Sequence, residues 1–300
     1  MMQIFEERVA ESQPAVTFTG YLHTGSEEIE KDRRFPAMIV CGGGAYLGIS
    51  DREKEPVALY YLHQGFQVFV LTYQTEATGD PQYPQPLFDL AKLMKQIREH
   101  SQEWLIDPEK IAIVGFSAGA NLCAQLATHW HEAWLGEAVA VADNQLLRPA
   151  AVILAYPLLD FLQQDKYAND DPTIDLSMGY VTTTKRAFMK HANEVFLGQD
   201  YTEERMKEAS PYYHVSQQTP PTFIWTTGAD NLVYPQQSLT YANRLLAAGV
   251  PVELHLFEEG QHGLSLGTYQ SSGDETLMNQ DIAVWTELAL RFLHRRFGVF

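Results

Sequence analysis

The sequence predicts an α/β fold: a mainly parallel central sheet with helices on both faces and a small cap insertion. Three observations predict it. Short apolar runs at 37–41, 67–72, 111–115, 150–155, 222–227 and 252–257 alternate with stretches of helical periodicity. Runs such as Ile111-Ala112-Ile113-Val114 lack the apolar/polar period of two, as expected for strands covered on both faces. The third is Gly115-Phe116-Ser117-Ala118-Gly119, a Gly-x-Ser-x-Gly pattern placed where a strand-like run gives way to a helical one.

Taken in chain order, the run 37–41 leads into Gly42-Gly43-Gly44. Ser50-Asp51-Arg52-Glu53 reads as a capping box that opens a helix toward His63, with Gly65 as its stop. Residues 87–104 carry Leu90, Leu93, Met94 and Ile97 at helical spacing; 239–248 do likewise before Gly249, and 282–297 close the chain. From about 160 to 215 the pattern breaks, because 163–175 is polar and acidic with Pro172 and no sheet-like run appears. Phe188, His191, Ala192, Val195 and Phe196 predict one short helix there, ended by Gly198. Such an insertion forms either a lid over a site or a surface excursion with no role in chemistry. No Gly/Ser/Pro-rich linker divides the chain, so residues 1–300 read as a single domain carrying this insertion.

At 300 residues, 45% hydrophobic and 20% charged, the chain is long enough to bury one large core. A formal charge of −17, with no basic stripe beyond Arg295-Arg296, argues against nucleic acid and favours a small neutral ligand. Cys41 and Cys123 fall at a strand end and within a helix, the usage of buried thiols in a reducing compartment. The first eight residues are acidic and no apolar run reaches membrane-spanning length, so neither a secretory signal nor a membrane anchor is expected. The expected location is the cytoplasm.

A serine hydroxyl is a poor nucleophile and needs a base, an acid to orient that base, and donors for the oxyanion formed when it attacks a carbonyl. Ser117 at a strand-to-helix corner is the candidate nucleophile, and Ala118 N–H, at the helix start, a candidate donor. Gly43 and Gly44 in the glycine-rich loop are the others. That loop could instead cradle phosphate, but no Gly-Lys-Ser/Thr follows it. Asp230, just past the run 222–227, is the candidate acid, although a lone loop aspartate is more often a helix cap or a turn residue. His262, between Gly260 and Gly263, is the candidate base, with His214 as its rival. Tyr46, Phe116, Asn121 and Tyr156 lie near these positions and are candidates for lining a substrate pocket, although buried aromatics are usually just core.

Together these residues resemble the carboxylesterase/acetylesterase branch of the α/β-hydrolase superfamily, related to hormone-sensitive-lipase-like and acetyl-xylan-esterase-like enzymes. The likeness covers nearly the whole chain. It rests on Cys41-Gly42-Gly43-Gly44-Ala45-Tyr46 with Ser50-Asp51-Arg52-Glu53, on Ile106-Asp107-Pro108-Glu109-Lys110-Ile111, on the serine corner, on Ala155-Tyr156-Pro157, on Ser210-Pro211, and on His262-Gly263-Leu264. Gly42 stands where that branch usually has Pro or His, Ala45 where it has a third loop glycine, and Ala120-Asn121 where it has Gly-His. The resemblance implies the order Ser117, Asp230, His262, no cofactor and no metal, short acyl esters as substrates with acetylated sugars among them, and members that form dimers or larger assemblies. A peptidase of the same fold and a ligand-binding protein without turnover are the competing readings.

Overall fold

Residues 2–10, 13, 15–30, 32–170, 175–177 and 182–298 are described by a computed structural model. Ten strands lie among them: β1 (Met2–Arg8), β2 (Thr17–His23), β3 (Phe35–Cys41), β4 (Gln67–Thr72), β5 (Ile106–Phe116), β6 (Ala151–Ala155), β7 (Asp175–Ser177), β8 (Thr182–Thr184), β9 (Thr222–Thr227) and β10 (Val252–Phe257). Eight of them form one sheet in the order β1-β2-β4-β3-β5-β6-β9-β10. The six strands read from the sequence are its parallel part, and β1 and β2 extend it with antiparallel pairings.

Each central strand feeds two cores. On β3, Ala37, Ile39 and Cys41 join one cluster while Met38 and Val40 join the other; on β5, Ile111 and Ile113 oppose Ala112 and Val114. Side chains alternate faces along a strand, so a sheet covered on both sides is apolar at every position. Helices α1 (Glu55–His63) and α10 (Trp285–Phe297) cover one face; α2 (Gln85–Glu99), α3 (Ala118–His129) and α8 (Gln236–Ala247) cover the other. The short helices α4 (Ala133–Ala138) and α9 (Gln280–Ala283) complete these layers. Among the described residues no helix is long and apolar enough to cross a membrane.

The two added strands escape a reading based on apolar runs. β1 (MQIFEER) is exposed along nearly its whole length, and β2 is interrupted by Gly20. That glycine has a reason: a Cβ there would stand 2.6 Å from the Phe5 ring, which lies across it and meets Phe18 and Trp104. The helix expected over 87–104 instead ends at Glu99, and Leu105 at φ 54° turns the chain into β5. The closing helix is divided between α9 and α10 at Val284.

Between β6 and β9 lie α5 (Phe161–Asp170), the antiparallel β7–β8 ribbon, α6 (Lys185–Leu197) and α7 (Glu203–Glu208). The expected helix is α6, ended by Gly198 at φ 102°. Two expectations are corrected here: most of the polar stretch 163–175 is helix α5, and two short strands do occur. Residues 171–174 and 178–181 of the insertion lie outside the described residues. Phe196 of α6 stacks flat on Tyr46, with ring centroids 3.8 Å apart, and contacts Phe161 and Tyr83. The insertion is thereby packed against the loop after β3.

The capping box is also corrected. Ser50 makes no side-chain capping bond; residues Asp51–Glu53 form a single 3-10 turn, and α1 starts at Glu55 with Pro56 in its first turn. Glu53 turns inward, at 3% exposure.

Candidate active site

The corner between β5 and α3 is tight because two glycines let it be. A Cβ on Gly115 would come within 2.2 Å of the Gly119 carbonyl oxygen, and one on Gly119 within 2.1 Å of the Cys41 carbonyl oxygen. Any side chain at either position would drive strand and helix apart. Ser117, between them, is held at φ 51° and ψ −115°, a backbone conformation that costs about 1–3 kcal/mol and persists only where its surroundings impose it. Its hydroxyl is thereby presented above the sheet at the first turn of α3.

His262 Nε2 lies 2.8 Å from Ser117 Oγ, and its Nδ1 lies 2.8 Å from Asp230 Oδ2. Both loops follow neighbouring strands, β9 and β10, so the sheet register itself brings acid and base together. Asp230 is buried; its other oxygen, Oδ1, accepts from the backbone N–H groups of Leu232 (2.9 Å) and Val233 (2.8 Å). The aspartate therefore fills both roles open to it in the sequence, turn former and imidazole partner. The His262 N–H donates to Asn231 Oδ1 at 3.1 Å, fixing the loop that carries the ring. His214 is elsewhere: its Nε2 faces the Lys207 and Glu208 carbonyls and its ring lies against His129.

The glycine loop is only partly as expected. Gly43 N–H donates to Glu53 Oε2 at 2.6 Å and is fully engaged there, which removes it from the expected oxyanion donors. Gly44 N–H meets no acceptor among the described residues, and Ala118 N–H is one of the free first-turn donors of α3. These two amides remain. Gly44 at φ 147° has no room for a side chain, since a Cβ would lie 2.2 Å from the Gly48 carbonyl oxygen. Ala45 (φ 56°) and Tyr46 (φ 62°) continue the strained loop.

The four expected pocket-lining residues are corrected together, because all are buried. Phe116 is a core residue against Tyr156 and Trp285. Asn121 has no exposure; its Oδ1 accepts from Tyr46 Oη (2.6 Å) and Gln125 Nε2 (2.7 Å), and its Nδ2 donates to the Leu158 carbonyl (2.9 Å). Tyr46 lies between Asn121 and Phe196. Tyr156 stands beside His262 with ring centroids 4.9 Å apart and edge-on. Its hydroxyl donates to Glu53 Oε1 (2.6 Å) and accepts from Ser265 N–H (2.9 Å). Burial, reinforced by the Glu53 carboxylate, pushes the Tyr156 phenol well above its usual range, so it remains a donor.

Sequence reasoning missed Glu53, Asn231 and Arg52, whose guanidinium donates to the Gly263 carbonyl at 2.6 Å. An acid three residues after a serine is the pattern of a cap, and nothing local distinguishes it from an inward carboxylate. Cys41 and Cys123 are both buried free thiols, and burial raises the Cys123 thiol well above its usual range. Among the described residues no group of three or more His, Cys, Asp or Glu is placed to hold a metal ion.

A family model described as BD-FAE matches residues 27–245. The chain belongs to the BD-FAE family. It is 30% identical over 271 residues to endo-1,4-beta-xylanase B of Butyrivibrio fibrisolvens, a match covering 87% of this chain and 37% of that protein. Over 251 residues it is 24% identical to an acetylxylan esterase of Xylanibacter ruminicola, covering 83% of this chain and 45% of that protein. The chain thus spans less than half the length of these curated relatives. The carboxylesterase Cest-2923 of Lactobacillus plantarum WCFS1 superposes with a TM-score of 0.79 at 26% identity, covering 98% of each chain. The BD-FAE member described here has the α/β-hydrolase fold.

Proposed function

We propose that this BD-FAE family member is a serine esterase that cleaves short-chain carboxylic esters, acetyl groups on carbohydrates among them, through an acyl-enzyme. The observation that carries the proposal is the unbroken hydrogen-bonded line Asp230–His262–Ser117, with 2.8 Å at each link, ending at the N-terminus of α3, where Ala118 N–H is a first-turn donor. The names of the acetylxylan esterase and carboxylesterase relatives support the substrate class.

Asp230 Oδ2 accepts from His262 Nδ1–H, which leaves Nε2 unprotonated toward Ser117. Ser117 Oγ attacks the ester carbonyl carbon while Nε2 takes its proton, and the new oxyanion receives the Gly44 and Ala118 N–H groups. Collapse of the tetrahedral adduct breaks the C–O bond to the alcohol, and His262 returns the proton to the departing oxygen. A water then attacks the acyl carbon by the same route, releasing the acid and free Ser117. The substrate is taken to be small and uncharged, in keeping with the formal charge of −17.

The test is a panel of nitrophenyl acetate, nitrophenyl butyrate, an amide analogue and an acetylated sugar, each with the wild type and Ser117→Ala. The expected result is ester turnover in the wild type, weak or no amide cleavage, and no turnover above background in the variant. Absence of ester turnover, or equal turnover in Ser117→Ala, would overturn the proposal, and preferential amide cleavage would favour the peptidase reading.

A further inference from the structure

Two consecutive residues, Arg52 and Glu53, tie the glycine loop to the loop that carries the histidine. Glu53 Oε2 accepts from Gly43 N–H at 2.6 Å and Oε1 accepts from Tyr156 Oη at 2.6 Å. Tyr156 Oη in turn accepts from Ser265 N–H at 2.9 Å, and its ring supports His262. Arg52 bonds the Gly263 carbonyl with its guanidinium and receives Ser265 Oγ at its own carbonyl, at 2.6 and 2.7 Å. The loop so tied is in close contact with the nucleophile: a Cβ on Gly43 would lie 2.8 Å from Ser117 Cβ.

Placing a carboxyl group in this interior, at 3% exposure, carries a desolvation penalty that a neutral or apolar anchor would avoid. Its effect on geometry is specific. An amide held at 2.6 Å by a carboxylate cannot swing toward the reaction centre, which leaves the adjacent Gly44 amide, without an acceptor among the described residues, to serve the oxyanion with Ala118. The same carboxylate, through the Tyr156 hydroxyl, fixes the position of the His262 ring.

We propose that Glu53 is a positioning residue for the esterase site: through Gly43 and Tyr156 it aligns the oxyanion donors with the Ser117–His262 pair. The inference rests on the esterase reading. It concerns the transition state, so its signature is a loss in kcat with KM held, not a loss of fold alone.

The experiment compares the wild type, Glu53→Gln, Tyr156→Phe and the double variant on nitrophenyl acetate. Active sites are counted with a phosphonate that labels Ser117, and affinity is measured for a boronic acid that mimics the tetrahedral adduct. Glu53→Gln keeps the side-chain volume and one acceptor but cannot satisfy both donors. Each single variant is expected to lose about 10- to 100-fold in kcat per active site, with KM within about two-fold and a parallel loss of boronic acid affinity. The double variant is expected to be no worse than the poorer single, because both changes break one chain of contacts. If kcat per active site is unchanged while only the melting temperature drops, Glu53 has a purely structural role, and if the two losses multiply, Glu53 does not act through Tyr156; either result overturns the inference. Should Glu53→Gln not fold, Tyr156→Phe is measured in the same way: a loss in kcat with KM held supports the inference, and an unchanged kcat overturns it. A wild type without Ser117-dependent turnover removes the esterase reading and this inference together; an active wild type with unaffected variants removes this inference alone.

Discussion

Replacing Asn121 by alanine separates a structural role from a pocket-lining one. Its carboxamide makes three hydrogen bonds in a region with no solvent access: from Tyr46 Oη at 2.6 Å, from Gln125 Nε2 at 2.7 Å and to the Leu158 carbonyl at 2.9 Å. Gln125 Nε2 keeps a second acceptor, the Ala209 carbonyl at 3.3 Å, so its loss is the smallest. The Tyr46 hydroxyl and the Leu158 carbonyl each lose a buried partner, at about 1–3 kcal/mol apiece, and a small void adds to this. The expected destabilisation is about 3–5 kcal/mol, a large share of the ~5–15 kcal/mol typical of a folded domain. Urea unfolding of wild type and variant measures it. The ratio of acetate to butyrate turnover, taken on the folded protein, should not move, because the side chain faces no ligand. A loss below about 1 kcal/mol, or a changed acyl-chain ratio, would refute the structural assignment.

Asp230→Asn keeps the shape of the acid but must present an N–H either to His262 Nδ1–H or to the Leu232 and Val233 amides, all of them donors. A fall in kcat of about 10³–10⁴-fold with little change in KM is expected from steady-state kinetics, and a loss under ten-fold would contradict the role given to Asp230. Acid stability carries two opposed contributions. Burial raises the Asp89 carboxyl from 3.8 to about 6, and burial, with His214 beside it, lowers the His129 imidazole from 6.5 to about 4. Between about pH 6 and 4 the folded chain binds a proton at Asp89 ahead of the unfolded chain, which adds stability on acidification. Between about pH 6.5 and 4 the unfolded chain binds one at His129 ahead of the folded chain, which removes it. At ~1.4 kcal/mol per pH unit each contribution is about 3 kcal/mol, so they nearly cancel. Asp89→Asn should therefore lose about 2–3 kcal/mol more than the wild type between pH 6.5 and 4, measured by urea unfolding across that range. An unchanged or shallower pH dependence would count against it.

What is legible in the sequence is what local pattern determines. Five buried strands, β3, β4, β5, β6 and β9, can be read because parallel strands between two helix layers are mostly apolar. Half-buried β10 can be read by Val252, Leu254, Leu256 and Phe257, and Ser117, Asp230 and His262 because each follows one of these six strands. β1 and β2 cannot, since an exposed edge strand carries charges and Gly20 has meaning only beside the Phe5 ring. Glu53 reads as a cap because the cap and the inward carboxylate share one pattern, and only the backbone at Ser50 and Lys54 chooses between them. Tyr46, Phe116 and Tyr156 show the same limit: an aromatic near a catalytic serine in sequence is core or lining according to where the neighbouring helix falls, and here each is core.

The most direct test of Ser117 as the nucleophile is where a carbonyl-mimicking electrophile attaches. After reaction with a nitrophenyl phosphonate, mass mapping should find one covalent adduct, on Ser117, with ester turnover lost in proportion to labelling. The adduct should be absent in Ser117→Ala and form far more slowly in His262→Ala. Labelling at another residue, or ester turnover that persists once Ser117 is fully labelled, would contradict the assignment.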